Sequence, residues 1–128
     1  MISAGDRREV RRRADNRCEY CCLRQEALPF STFHVEHIIP RQHGGADDLG
    51  NLALACHHCN EHKGPNLSGL DPRTGSLVSL YNPRTQRWED HFRREGARIH
   101  PLTPTGRATV WVLAMNSTMM LQTREQIP

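Results

Sequence analysis

Apolar residues in this chain come in short runs, and their spacing changes from a helical to a strand period along the sequence. Near the start, Val10 and Ala14 are four residues apart in an otherwise polar segment, which is the spacing of one helix face. Ser3 and Asp6 form an S-x-x-D signal that is typical of a helix start. The pattern therefore predicts a helix over about residues 4–16 with a narrow apolar stripe.

The middle of the chain has the pattern of two strands followed by a helix. Residues 30–39 contain short apolar and aromatic stretches that are typical of a strand, and Pro40 ends it. The glycines and aspartates of residues 43–48 predict a loop. Residues 51–55 have the pattern of a second strand or a helix entry, and a helix is expected from about 56 to 64. Together these elements predict a β-β-α unit.

The second half of the chain carries weaker signals. Residues 77–81 and 98–102 have the composition of strands, and residues 82–85 have that of a turn. Thr105 is placed to cap a helix that runs to about residue 115. The last residues of the chain give no clear pattern.

The composition indicates a small core that needs additional support. Of the 128 residues, only 37% are hydrophobic and 5% aromatic, against an apolar share of roughly 45–50% in ordinary domains. The length suits one compact domain with extensions rather than two domains. No apolar run of about 18 residues and no signal-peptide h-region is present, so we expect a cytoplasmic protein without a membrane span.

Positive charge is concentrated near the N-terminus. The formal net charge is +3, and Lys63 is the only lysine. The arginines of the first segment are Arg7, Arg8, Arg11, Arg12, Arg13 and Arg17. Arginine presents a planar fork of donors that matches phosphate, so we predict that the first four of these bind nucleic acid. The alternative is a solvated helix face that Asp6, Glu9 and Asp15 partly neutralise.

The five cysteines fall in two tight clusters, which favours metal ligation over disulfides in a protein without an export signal. Two pairs have the C-x-x-C spacing of a tetrahedral site, Cys18 with Cys21 and Cys56 with Cys59. They predict a structural four-cysteine zinc site, with free thiols or an iron cluster as alternatives. Cys22 is a spare thiol. Because zinc binding contributes folding free energy, chelation is expected to unfold the domain.

The interval between the cysteine pairs carries further motifs. Residues 33–40 read FHVEHIIP, residues 43–45 read HGG, residues 48–52 read DLGNL and residues 56–64 read CHHCNEHKG. In this order the motifs resemble the HNH endonuclease family, in the zinc-stapled form of small bacterial stand-alone proteins. The resemblance covers roughly residues 14–65.

The resemblance implies an α+β fold built on a ββα-metal, or His-Me finger, nuclease domain with the structural zinc site. Residues 1–17 are then a basic N-terminal helix, and residues 18–65 are the nuclease core. Residues 66–128 are a C-terminal extension of strands and helix that packs on this core.

The resemblance also implies roles for single residues. His37 matches the general base, and Glu36 matches the acidic residue beside it that binds a divalent cation. Asn51 matches the central asparagine, which tethers the loop and orients the base. Asn60 takes the position of a second cation ligand, where the family often has histidine, and His62 is the alternative ligand.

A glutamate and an amide oxygen form a hard and sparse ligand set, which suits Mg²⁺ or Mn²⁺ better than Zn²⁺. A second zinc or a nickel ion stays open if His62 binds. Arg41 and Lys63 lie beside the motif residues and are predicted to contact the scissile phosphate, with a surface role as the alternative. Trp88 and Trp111 are expected in the core, because the chain has few aromatic residues.

These inferences predict a metal-dependent endonuclease that acts on DNA and nicks or cuts the duplex with little sequence preference. The alternative is a zinc-ribbon module that binds nucleic acid without cleaving it. An RNA substrate stays open, and the sequence does not determine the oligomeric state.

Overall fold

The computed structural model describes residues 1–127 and combines helices with small sheets, as the α+β prediction requires. The elements follow in the order α1 (Ala4–Arg13), β1 (His34–His37), β2 (Leu52–Ala55), α2 (His57–Lys63), β3 (Ser68–Leu70), β4 (Leu77–Ser79), α3 (Trp88–His91), β5 (Phe92–Glu95), β6 (Arg98–Pro101), α4 (Pro104–Val112) and α5 (Thr118–Gln126). Strands β1 and β2, β3 and β4, and β5 and β6 pair as antiparallel hairpins. Across residues 1–127, no helix has the length and hydropathy needed to cross a bilayer.

Helix α1 begins where the sequence predicts and ends earlier. The Ser3 hydroxyl caps it by accepting a hydrogen bond of 3.0 Å from the backbone N–H of Asp6. The helix stops at Arg13 rather than near residue 16, because Asp15 and Asn16 adopt the left-handed backbone region, with φ of 53° and 52°.

Two arginines of α1 fix the helix to the first hairpin. The side chain of Arg11 donates to the Phe33 carbonyl at 2.8 Å, and that of Arg13 donates to the Leu52 carbonyl. Val10, beside them on the helix, is fully buried. These contacts hold α1 against the start of the first strand, His34–His37, and against the second strand, Leu52–Ala55.

The β1–β2 hairpin and helix α2 form the predicted β-β-α unit. In its register, His37 of β1 pairs with Leu52 of β2, and all four residues of β2 are buried. The first strand is shorter than the predicted 30–39. The Gln25 side chain bonds backbone groups between residues 28 and 33 and thereby folds the segment before β1 into a loop.

Helix α4 begins earlier than the sequence predicts. Thr103, rather than Thr105, caps it, and the Thr103 hydroxyl accepts a hydrogen bond of 3.0 Å from the Gly106 N–H. Pro104 takes the first helical position, where its missing N–H breaks no hydrogen bond. The helix start therefore moves back to the Thr-Pro pair, and α4 packs against β3, β4 and β6.

The C-terminal elements pack on the β-β-α unit and on the cysteine-rich turn before it. The Trp88 indole donates to the Tyr20 carbonyl at 2.8 Å, and the His58 imidazole of α2 donates to the Ala114 carbonyl at 2.9 Å. Trp88 is accordingly half-buried. Trp111 is 71% exposed, so its predicted place in the core is wrong, because α4 turns its small residues toward the core instead.

Candidate active site

Four buried thiols lie together, with their sulfur atoms all within 4.8 Å of one another: Cys18, Cys21, Cys56 and Cys59. In each pair the second backbone N–H donates to the first sulfur, at 3.5 Å for Cys21 and 3.4 Å for Cys59. Thiols presented in this way by two C-x-x-C turns are the ligand set of a structural zinc ion. The predicted four-cysteine cluster is confirmed, and its donor chemistry fits zinc.

The fifth cysteine lies outside this cluster. Cys22 adopts the left-handed backbone region, with φ of 67°, and its N–H donates to the Cys18 carbonyl at 3.0 Å. Burial, and then the charge of the neighbouring Cys21, raises the pKa of Cys22 to about 12. Cys22 is therefore not a member of the four-thiol ligand set.

A cleft of about 630 Å³ lies beside the β-β-α unit. Seven residues with polar side chains line it: Arg7 from α1, His34, Glu36 and His37 from β1, Arg41 and Gln42 from the next loop, and Asn60 from α2. Adjacent strand residues normally point to opposite faces, yet Glu36 and His37, the last two residues of β1, both line this cleft. The cleft thus collects a carboxylate, two imidazoles, two amides and two guanidinium groups.

Glu36 is the buried acid of the cleft. The residue is only 8% exposed, and burial raises the pKa of its carboxyl to about 7, although the nearby Lys63 ammonium opposes the rise. Within residues 1–127 neither its Oε1 nor the Tyr20 hydroxyl has a partner in good hydrogen-bond geometry, although the hydroxyl is close enough to lower the pKa of Glu36. A buried carboxylate oxygen without a partner is costly, and a bound cation would supply the missing partner.

His37 is held by a residue that sequence reasoning missed. Its Nε2 donates to Oδ1 of Asp47 at 2.6 Å, and Arg41 donates to both carboxylate oxygens of Asp47, at 3.0 and 2.9 Å. The Met1 amine contacts the same carboxylate at 2.5 Å. This amine, the His37 ring and Arg41 hold the pKa of Asp47 well below its usual range. The only sequence signal for Asp47 was a carboxylate in the glycine-rich loop.

Asn51 fixes the loop between β1 and β2 through side-chain hydrogen bonds. Its Oδ1 accepts a hydrogen bond from the Ile39 N–H at 2.9 Å, and its Nδ2 donates to the carbonyls of Ile39 and Ala46, at 2.9 and 2.8 Å. The loop folds so tightly that a Cβ at Gly45 would lie 1.6 Å from the Ile39 carbonyl oxygen. Asn51 therefore fixes the loop that carries the charged partners of His37.

Comparison with known proteins identifies the segment that contains these features. Residues 18–66 match the family model described as HNH endonuclease. This segment is an HNH domain. It includes the cysteine cluster together with Glu36, His37 and Asn60, whereas Arg7 lies before it. No curated protein and no solved structure matches the chain. The family match indicates nuclease activity.

Lys63 is the buried lysine of the HNH domain. It is 2% exposed, and its Nζ donates to the Ile38 carbonyl at 2.9 Å. Burial lowers the pKa of Lys63, and the Glu36 carboxylate opposes that shift. This ammonium is a buried counter-charge to Glu36, and the phosphate contact predicted for Lys63 stays a prediction. We retain that contact for Arg41, whose side chain is 61% exposed.

Of the two residues considered as the second cation ligand, Asn60 lines the HNH cleft and His62 does not. Two positions along a helix differ by about 200°, so the two side chains leave α2 in different directions. His62 donates to the His58 carbonyl at 2.8 Å and stacks on the His58 ring, with centroids 4.0 Å apart. The placement favours Asn60.

The arginines of α1 make different contacts. Arg7 lines the cleft beside the HNH motif residues, while Arg8 is exposed outside it. Arg11 is used within the fold, since it bonds the backbone before β1. Arg12 forms an ion pair with Glu9 at 2.5 Å. Nucleic-acid binding by these four stays a prediction, and Arg7 is the one placed at the cleft.

We expect Asn51→Ala to weaken both the stability and the activity of the HNH domain. The backbone groups of Ile39 and Ala46 lose buried partners, which costs about 1–3 kcal/mol of the free energy of unfolding. Loss of the loop's fixed geometry is expected to slow cleavage about 10–100-fold. Urea unfolding and cleavage rates measure the two effects, with the exposed Asn66→Ala as control. Curves for Asn51→Ala that overlay those of the wild type would contradict the tether.

Proposed function

We propose that this chain is a metal-dependent endonuclease that hydrolyses phosphodiester bonds in DNA, with His37 as general base and one divalent cation on Glu36 and Asn60. A single observation carries the proposal, namely that these three side chains line one cleft of the HNH domain. The four-cysteine cluster is a complete zinc ligand set without them. A domain that only bound structural zinc would not require Glu36, His37 and Asn60 in this cleft.

The cleft residues fit a hard cation. Glu36 offers a buried carboxylate oxygen that has no partner within residues 1–127, and Asn60 offers an amide in the same cleft. Mg²⁺ and Mn²⁺ prefer oxygen ligands and commonly keep several waters, so one or two protein ligands are sufficient. Such a cation neutralises charge on the phosphoryl oxygens and stabilises the leaving oxygen.

His37 supplies the base for the attacking water. As the water oxygen bonds to phosphorus, its proton passes to the imidazole and the bond from phosphorus to the leaving alkoxide breaks. Arg41 and Arg7 place positive charge along the cleft, where they can donate to the non-bridging phosphate oxygens. Asn51 keeps the loop in the geometry that this transfer needs.

We propose a DNA duplex, bound through its backbone, as the substrate. The available cationic groups at the cleft are arginines, whose forks match phosphate. Phosphate contacts fix the position of the protein but carry no direct sequence information. We therefore expect cleavage with little sequence preference.

We expect Arg7→Gln to weaken DNA binding, because one phosphate contact at the cleft is lost. The slope of log K against log salt should fall by about 1, and the affinity should drop for all sequences alike. Arg73→Gln is the matched control, since it removes the same charge from an exposed position beyond residues 18–66. Fluorescence anisotropy at several salt concentrations gives both slopes. Equal slopes for the two variants would contradict a phosphate contact by Arg7.

The proposed activity is tested with zinc-loaded protein on supercoiled plasmid DNA and on a structured RNA. Reactions contain Mg²⁺, Mn²⁺ or no added cation. The control without added cation is used in place of a chelator, because a chelator would also remove zinc from the cysteine site. We expect nicked plasmid only where a cation is added. Plasmid that is bound but never cut under any condition would overturn the proposal in favour of a zinc-ribbon binding module. Cleavage of RNA alone would overturn the choice of DNA.

A further inference from the structure

We infer that Asp47 positions the base: it holds the His37 imidazole in the tautomer that leaves Nδ1 free to accept a proton from water. The inference rests on the proposed function and adds a residue to the same site. It is carried by the 2.6 Å contact between His37 Nε2 and Asp47 Oδ1. Asp47 lies ten residues beyond His37, in the loop that returns the chain toward β2.

The chemistry of the two groups fixes which nitrogen carries the proton. A neutral imidazole has one N–H, which either ring nitrogen can hold. An ionised carboxylate can only accept, so the contact with Asp47 requires the proton to be on Nε2. The lone pair then belongs to Nδ1. When Nδ1 takes the proton of the attacking water, the ring becomes imidazolium, and Asp47 stabilises that charge at Nε2.

The loop holds Asp47 in the position that this role needs. Arg41 bonds both carboxylate oxygens and so restricts rotation of the Asp47 side chain. The carbonyl of the preceding residue, Ala46, accepts the hydrogen bond from Asn51. The side chains of His37 and Asp47 are 20% and 31% exposed, so water has limited access to their contact. The Asn51 hydrogen bonds that fix the loop therefore also place the Asp47 carboxylate.

Nitrogen-15 NMR of the zinc-loaded protein, without DNA or added cation, measures the tautomer directly. At a pH where the ring is neutral, we expect His37 of the wild type to be the Nε2–H form. Asp47→Asn should produce a mixture of both forms, whereas Asp48→Asn, which removes a neighbouring exposed charge, should leave the ring unchanged. A His37 ring that is Nδ1–H in the wild type would overturn the inference, and this result needs no variant to fold.

Cleavage kinetics provide the second readout. We expect Asp47→Asn to lower kcat about 10–100-fold, because the base loses the carboxylate that sets its tautomer. Asp48→Asn should cleave like the wild type. A wild-type kcat for a folded Asp47→Asn protein would overturn the inference while leaving the nuclease proposal intact. If the wild type cleaves nothing, the proposed function fails, and the tautomer measurement still decides whether Asp47 positions His37.

Discussion

Removal of zinc is expected to unfold the HNH domain. Binding free energies of about 10–16 kcal/mol are typical of structural zinc sites, which is as large as the whole stability of an ordinary domain, about 5–15 kcal/mol. Here the four cysteines are buried. Only 37% of the chain is hydrophobic, so the rest of the core is too small to compensate for the loss of zinc. Chelation, or Cys59→Ser, should abolish the cooperative unfolding transition seen by circular dichroism.

The spare thiol provides the control for this experiment. Cys22 lies outside the cluster, so Cys22→Ser should bind one zinc ion per chain and unfold with nearly the wild-type midpoint. A chelated protein that keeps its near-ultraviolet spectrum and a sharp thermal transition would contradict a structural role for zinc. So would a loss of zinc from Cys22→Ser that equals the loss from Cys59→Ser.

Glu36→Gln is expected to lose the catalytic cation and with it nearly all cleavage. A cation is worth several kcal/mol of transition-state stabilisation, so the rate should fall on the order of 10³-fold. The zinc content should stay at the wild-type value, because Glu36 lies outside the cysteine cluster. Calorimetric titration with Mn²⁺ measures cation binding, and plasmid nicking measures the rate. Glu61→Gln removes an exposed carboxylate from α2 and should change neither.

The pKa of Glu36 adds a pH dependence to this prediction. Burial raises that pKa to about 7, so the carboxyl is largely protonated below this pH and must release a proton to bind a cation. Apparent affinity for Mn²⁺ should therefore rise as the pH increases toward 7 and change less above it. The Glu36→Gln variant should not show this rise in Mn²⁺ affinity with pH. A flat affinity between pH 5.5 and 8, values chosen to lie about 1 unit or more on either side of that pKa, would contradict a Glu36 ligand.

Local patterns predicted the parts of the fold that depend on few residues. The two C-x-x-C pairs predicted the zinc cluster, because a ligand pair is formed within one turn of chain. Ser3 gave the start of α1 because capping depends on the three residues after it. The β-β-α unit followed from the switch between strand and helix patterns around residues 51–57, where the structure places β2 and the start of α2.

Features that depend on distant parts of the chain were not predicted. Asp47 meets His37 only because Asn51 folds the intervening loop, and no local pattern encodes that closure. The direction of Lys63 depends on which face of α2 packs against the strands, and the lysine turned inward. Trp111 is exposed because α4 packs on the neighbouring strands through its small residues, and the position of those strands is not encoded within the helix itself.

The most direct test of a catalytic centre at the HNH cleft is plasmid nicking by wild type and His37→Ala. Both proteins are first shown to be folded by circular dichroism and to bind zinc and DNA equally. We predict that His37→Ala nicks about 10²–10⁴-fold more slowly with Mg²⁺ or Mn²⁺, because the attacking water has lost its base. His100→Ala, which alters an exposed histidine of β6, should nick like the wild type. Nicking by His37→Ala at the wild-type rate would contradict this assignment of the catalytic centre.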